Sequence, residues 1–331
     1  MEYVNLGWSG LKISHIIIGC MSFGNQQPWM VEKEGAKKVI DKALDLGINC
    51  FDTANVYSNG RSEEIVGELL KGVRNDVVIA TKVYNAMGDK PNQRGLSREH
   101  IMRQVKDSLR RLQTDDIDLY QTHRWDYETP IEETLSTLND LVRQGTVRYI
   151  GASSMWAWQF SKALYISQIK GYEKFASMQN KYNLLYREEE REMIPLCVEQ
   201  NIGLIPYNPI AVGLLAGRYI KDGKIVIEKG DIERLQPESR TARYYHKPYI
   251  EPSENAEIVK RVLEVAQNRG VKPSQIALAW LFHKKVTAPI VGTTNPEHVQ
   301  EVVDALRIDL SEQEVKYMEE PYKPKPVSGH Q

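Results

Sequence analysis

Asp52, Tyr57, Lys82 and His123 are residue types with a joint chemical use. A lysine ammonium held near a tyrosine favours the phenolate, so the hydroxyl becomes a better proton donor than its free pKa of about 10 implies, with the aspartate poising the lysine. A histidine across the same opening can orient a carbonyl oxygen or assist proton transfer. Taken singly, each has a plainer reading: the Lys–Asp pair as a structural ion pair, the histidine as a hydrogen-bonded barrel residue. Placed together on consecutive strands and one face, they point to catalysis.

What must position them is visible in the rhythm of the chain. Short β-branched runs alternate with longer segments of helical periodicity, the pattern of βα units around a parallel sheet. The runs are His15–Gly19, Asn49–Ala54, Val77–Lys82, Ile117–His123, Val147–Ser153, Phe175–Asn180, Gly203–Asn208 and Ala288–Gly292. Helices are expected over 33–46, 62–71, 98–112, 131–144, 156–169, 188–200, 254–269 and 296–306, with two more over 273–283 and 311–320. Ser97, Thr129-Pro130 and Asn295-Pro296-Glu297 read as helix starts, and Gly47, Gly145 and Gly270 as left-handed stops. Eight strands each followed by a helix make an α/β fold of the (β/α)8 TIM-barrel type, whose chemistry sits at the C-terminal ends of the strands. Asp52, Lys82 and His123 fall at such ends, and Tyr57 lies in the loop after the second.

The chain has 331 residues, and roughly 150 residues per domain would suggest about two domains, but the strand count favours one barrel over 1–331. The excess length goes to a long irregular segment over 209–252, after the seventh strand, to the extra C-terminal helix, and to an extended tail over 321–331 expected to lie on the surface. Lys plus Arg number 43 against 44 for Asp plus Glu, a net charge of −1, which argues against a nucleic-acid or anionic-membrane partner. Cys20, Cys50 and Cys197 are widely spaced and match neither a disulfide framework nor a metal motif, which fits a reducing cytoplasm. No apolar run approaches the roughly 20 residues of a membrane span, and the N-terminus has no export pattern.

The stretch Leu46-Gly-Ile-Asn-Cys-Phe-Asp-Thr-Ala-Asn-Val-Tyr-Ser-Asn-Gly-Arg-Ser-Glu-Glu-Ile-Val-Gly67 strongly resembles the aldo-keto reductase motif. Ile79-Ala-Thr-Lys82, Asp118-Leu-Tyr-Gln-Thr-His123, Gly151-Ala-Ser-Ser154, Met178-Gln-Asn-Lys-Tyr182 and Gly292-Thr-Thr-Asn295 continue the likeness end to end. Within that superfamily, Arg124-Trp-Asp-Tyr127, Tyr186-Arg-Glu-Glu-Glu-Arg191 and Pro321-Tyr-Lys-Pro324 look most like the bacterial YajO-type branch. The yeast aryl-alcohol dehydrogenase-like proteins and the potassium channel β subunits look like more distant relatives.

The resemblance implies NAD(P)H-dependent reduction of aldehydes and ketones, with Asp52, Tyr57, Lys82 and His123 as the catalytic set, Tyr57 as proton donor, and no metal. It implies a cofactor lying across the barrel mouth without a Rossmann fold, in agreement with the lack of either usual phosphate loop in the sequence. Ser153, Ser154 and Gln179 are then expected at the carboxamide and Tyr207 under the nicotinamide ring. Asn208, Pro209, Ile210, Ala211, Val212, Gly213 and Leu214 correspond to the loop under the pyrophosphate, with Gly217 allowing close approach and Arg218 meeting a phosphate. Gly292, Thr293, Thr294, Asn295, His298 and Glu301 fall to the adenosine end. That stretch lacks the Arg or Lys that many relatives set against the 2′-phosphate, so NADP(H) is placed only slightly ahead of NAD(H).

Phe23, Trp29, Met30, Tyr84, Arg124, Trp125 and Tyr244 or Tyr245 are candidate walls for the small-molecule carbonyl substrate. An aromatic pocket suits apolar or aryl aldehydes, whereas Arg124 would favour acidic or phosphorylated ones. A different class of role is a redox-sensing interaction protein like the channel β subunits, with little turnover.

Overall fold

The computed structural model describes residues 1–228, 235–239 and 242–330. Eight parallel strands curl in the order β12-β3-β4-β5-β6-β7-β8-β9. These are β3 (Ile17–Gly19), β4 (Cys50–Asp52), β5 (Val78–Val83), β6 (Ile117–Thr122), β7 (Val147–Ser153), β8 (Ser177–Gln179), β9 (Gly203–Leu204) and β12 (Ile290–Gly292). All eight fall within the expected runs or within one residue of them. The circle closes beyond β9, where the Ile290 amide donates to the Pro206 carbonyl at 2.8 Å and Tyr207 bridges Ile290 in parallel. This is the (β/α)8 architecture, and the helices surround it.

Strand alternation explains how the inside differs from the outside. On β4, Phe51 joins the large apolar layer between sheet and helices, while Cys50 joins a second cluster inside the barrel with Ile17, Val78, Ala80 and Leu119. One step further up each strand the inward positions turn polar: Asp52, Lys82, Gln121 and Gln179. Register brings them level, since Lys82 pairs with Gln121, Gln121 with Gly151, and Ser153 with Gln179.

The lower end of the barrel is plugged by a hairpin that the sequence rhythm did not announce, β1 (Tyr3–Asn5) antiparallel to β2 (Lys12–Ser14). Its Leu6 and Ile13 are buried in the inner cluster. Gly7 turns at φ +59° with a Cβ position only 2.5 Å from the Gly203 amide, so no larger residue fits. The Trp8 indole also donates to the Phe175 carbonyl at 2.8 Å.

The expected helices α1 (Lys33–Asp45), α2 (Arg61–Leu70), α3 (Arg98–Leu112), α4 (Ile131–Arg143), α5 (Ala157–Lys170), α8 (Glu254–Arg269), α9 (Pro273–His283), α10 (Pro296–Asp304) and α11 (Glu312–Glu319) are present. Ser97 and Asn295 cap as read, accepting from the amides of His100 and Glu297. Thr129 does not: its hydroxyl donates to Asp126, and Pro130 precedes α4. The segment 188–200 splits into a 3-10 turn, Glu188–Glu190, and the short α6 (Met193–Glu199), because the Glu188 and Glu189 carboxylates turn inward to hold the C-terminal tail. No helix among the described residues is long and apolar enough to cross a membrane.

The segment over 209–252 is more ordered than expected, with a 3-10 turn at Ala211–Ala216, a hairpin of β10 (Ile220–Lys221) and β11 (Lys224–Ile225), and α7 (His246–Tyr249). Its residues 229–234, 240 and 241 lie outside the described residues. The tail, described to residue 330, lies on the surface only in part, at the exposed Lys323, Pro324 and Pro326. Lys325 and His330 are each 7% exposed, held by Glu188 and Glu189, because Pro324 and Pro326 keep the chain extended while its amides and side chains find buried acceptors.

If the hairpin is the plug, Leu6→Ala should cost about 2–5 kcal/mol, the range for emptying a buried leucine site. Urea unfolding would read this as a lowered midpoint, and an unchanged midpoint would show the barrel floor to be self-sufficient.

Candidate active site

Lys82 is fully buried on β5 and its ammonium makes three contacts at the top of the barrel. It donates to Asp52 Oδ1 at 2.5 Å, to the Thr53 carbonyl at 2.8 Å and to the Tyr57 hydroxyl at 3.4 Å, with Nζ 4.9 Å from the tyrosine ring centroid. The other oxygen of Asp52 accepts from Gln121 and Gln179, each at 2.9 Å, and Gln179 donates to Gln121 Oε1 at 3.1 Å. Both oxygens of the buried carboxylate are thereby engaged, as a charge in that position requires. Gln121 belongs to this set and was not singled out from sequence; its register opposite Lys82 reveals it.

Tyr57 reaches the same spot from the loop between β4 and α2. The chain there turns through three consecutive left-handed residues, Ser58, Asn59 and Gly60. Two close approaches keep it in place: Gly24 presents no Cβ to the Ser58 side chain, and Gly60 none to Arg111. Arg111 donates to the buried Glu63 at 2.6 Å, and Glu63 accepts from Thr81 beside Lys82. The residue that carries the hydroxyl is therefore fixed from both sides.

The electrostatics differ in one respect from the expectation. Burial raises the Tyr57 pKa above 10, and the opposing pull of the Lys82 ammonium only moderates this. Tyr57 is a protonated phenol held beside a cation rather than one displaced toward phenolate. Burial pulls the Lys82 pKa down, but Asp52 and Tyr57 together outweigh it and leave the ammonium above its usual range. His123, just beyond β6, stands edge-on to Tyr57 with ring centroids 5.8 Å apart. Burial, and then the charges of Arg124 and Lys82, push its pKa well below 6.5. Asn85 Nδ2 lies 3.1 Å from His123 Nδ1, so the amide donates there and the ring proton rests on Nε2. Asn85 was also not anticipated, because loop amides carry no distinguishing spacing.

Across the mouth, Ser153 donates to the Gln179 carbonyl at 2.7 Å and its hydroxyl is 3.2 Å from that of Ser154, whose amide donates to Asn180. Burial lifts the Tyr207 hydroxyl to about 12. Past it, Asn208, Ala211, Val212, Gly213 and Gly217 all have positive φ. Such a run of left-handed residues turns successive amides to one side, the concave form that binds phosphates. Asn208 is committed to shaping this loop, accepting from the Val212 amide at 2.9 Å and donating to Tyr249 at 2.8 Å. Pro209 and Leu214 are buried, Ile210 is half-buried, and Arg218 is exposed.

At the start of α10, Thr293 organises the turn by bonding Asn295 and approaching His298 Nδ1 at 3.1 Å, while Gly292 and Thr294 are exposed. Glu301 is paired with Lys272, a cation that sequence reading passed over because it lies before α9 rather than in 292–301. Of the substrate-wall candidates, Phe23 is fully buried in the core, and Trp125 is 9% exposed with its ring 6.1 Å from that of Trp158. Trp29, Met30 and Tyr84 are half-buried, and Arg124 is half-buried with its guanidinium on the His123 carbonyl at 2.5 Å. Cys20 is buried in the core, its thiol pushed up by burial.

These shifts set a pH expectation. Because the folded pKa of His123 is depressed, the neutral ring contributes stability above pH 6.5 that is lost as pH falls below it. Histidine NMR should show His123 as an Nε2–H tautomer with no titration between about pH 6 and 8, around the free value of 6.5. A midpoint near 6.5 would contradict the burial argument.

The model of the aldo/keto reductase family matches residues 15–323. The chain is 42% identical to the aldo-keto reductase dtxS3 of Metarhizium robertsii, over 100% of this chain and 93% of that one. It is 40% identical to the versiconal hemiacetal acetate reductase of Aspergillus parasiticus, over 99% and 98%. It is 42% identical to the putative aryl-alcohol dehydrogenase AAD16 of Saccharomyces cerevisiae, over 98% of each. With the barrel, the polar layer and these likenesses in agreement, the chain belongs to the aldo/keto reductase family.

Proposed function

We propose that this protein reduces aldehydes or ketones to alcohols with a nicotinamide dinucleotide, using Tyr57 as the proton donor. The observation that carries the reading is the Tyr57 hydroxyl 3.4 Å from a lysine ammonium whose charge is balanced by an aspartate hydrogen-bonded at both oxygens. When bound, the dinucleotide supplies the hydride. The residues at the mouth fit such a group: Ser153, Ser154 and Gln179 offer polar atoms for a carboxamide, Tyr207 a flat ring, and the left-handed run after Asn208 a cradle for phosphates. Gly292, Thr293, Thr294, Asn295, His298 and Glu301 are read at its adenosine end, and NADP(H) is favoured over NAD(H). We read residues 1–331 as one functional unit, and the motif around Arg124-Trp-Asp-Tyr127 supports kinship with the bacterial YajO-type branch.

In this reading the Tyr57 hydroxyl hydrogen-bonds the substrate carbonyl oxygen and passes its proton to the forming alkoxide. Lys82 lowers the cost of the phenolate left behind, because an ammonium at that distance in a site screened from water stabilises the new charge strongly. His123, neutral with Nε2–H, donates a second hydrogen bond to the same oxygen without competing for the proton. Asp52 keeps Lys82 in place, and Gln121 and Gln179 hold Asp52 by donating to its second oxygen.

Tyr57→Phe should lower kcat/KM for 4-nitrobenzaldehyde by about 10²–10⁴-fold, the usual share of a general acid, while NADPH still quenches protein fluorescence. Undiminished turnover would overturn the role of Tyr57, and tight NADPH binding by the native protein with negligible turnover would favour the redox-sensing role instead. Comparing NADH with NADPH in the same titration should give the lower Kd for NADPH, and the reverse order would assign the adenosine end to NAD(H).

A further inference from the structure

Lys181, two residues past Gln179, is 2% exposed. Its ammonium donates to the Tyr244 carbonyl at 2.7 Å and to the Ser328 hydroxyl at 3.0 Å, and lies 5.1–5.6 Å from the ring centroids of Tyr186, Tyr245 and Tyr249. All of these partners are neutral. Its backbone pairs with that of Tyr207, and the tail residue Gly329 lies against the Tyr207 hydroxyl, so the ammonium belongs to the barrel mouth.

Arg124 is the second cation there. Its guanidinium is bonded to the carbonyl of His123, and its charge is felt at Tyr57, His123, Tyr207 and Lys181. Among the described residues neither cation has a carboxylate in ion-pair contact. The carboxylate whose charge acts on Lys181 is Glu189, outside ion-pair contact, with Oε2 accepting from Asn180 at 2.5 Å and Oε1 3.0 Å from His330 Nε2. A buried ammonium that has only neutral acceptors and a like charge nearby is costly, and burial pulls the Lys181 pKa down to about 7. Two neighbouring cations without a carboxylate in ion-pair contact among the described residues favour an anion between them.

We propose that the carbonyl substrate carries an anionic group remote from its carbonyl, and that Lys181 and Arg124 are the specificity-determining residues that receive it. The anion takes the place of the Ser328 hydroxyl at Lys181, and the tail closes behind it. This rests on the carbonyl-reductase reading, and it selects an acidic substrate from the two classes that the pocket residues leave open.

The test uses the full-length protein with NADPH and two aldehydes of the same shape, 4-carboxybenzaldehyde and its neutral methyl ester. The native protein should prefer the acid in kcat/KM by about tenfold or more, the worth of one hydrogen bond to a charged group. Lys181→Met and Arg124→Met should each move that ratio toward one through KM, and Lys181→Arg should keep most of it. Calorimetric binding of the acid to the NADP⁺ complex is read in parallel, so that loss of binding in Lys181→Met supports the site even where reduction itself fails. A native preference at or below one, with equal binding of acid and ester, overturns the proposal. So does a Lys181→Met protein that loses NADPH affinity and both aldehydes alike, because the cations would then serve the cofactor phosphates.

Discussion

The contact on which the rest depends is the buried ion pair of Lys82 and Asp52. Two charges removed from water cost several kcal/mol each, and their attraction repays this only where the remaining hydrogen-bonding capacity is met. Here it is met by Gln121 and Gln179 from two strands, and by Tyr57 and the Thr53 carbonyl from the segment that follows β4. The pair can therefore exist only in the closed barrel. Conversely, the barrel mouth cannot fill with aliphatic side chains without stranding the pair, which is why the inner cluster stops one layer below.

That layer is supported from beneath. The hairpin around Leu6 and Ile13 caps the lower end, and Ile17, Val78, Ala80 and Leu119 fill the interior between plug and polar ring. Small residues matter where strands crowd. A Cβ at Gly151 would press on Ser177 and Gln121, so glycine there leaves room for the glutamine that donates to Asp52. Precision at the top thus derives from close packing lower down.

The opposite side of the mouth is built differently. Its residues lie in loops, and their order comes from side chains bonded to backbone: Asn208 to the Val212 amide, Thr293 to Asn295, Glu188 to the Lys325 amide. Apolar packing adds to this, since Ala211, Leu214, Leu215 and Tyr249 are buried in the core. The tail joins this rim through Lys181, Tyr186 and Glu189 rather than trailing away from it.

The chain by itself determined the eight-strand order, most helix bounds and the face on which Asp52, Tyr57, Lys82 and His123 appear, because alternation along strands and periodicity along helices are local properties. It also held the family motif in one contiguous stretch, 46–67. Tertiary structure decided what depends on partners distant in sequence. Gln121 and Asn85 enter the site through register and loop approach, not through any motif. The Tyr57 pKa follows burial more than its lysine neighbour, and burial is not written in spacing. The tail reads as surface by composition, yet two inward glutamates distant in sequence hold its Lys325 and His330 in buried positions. Charge pairing, too, is settled only in three dimensions: the near-zero net charge conceals two cations at the mouth that have no carboxylate in ion-pair contact among the described residues.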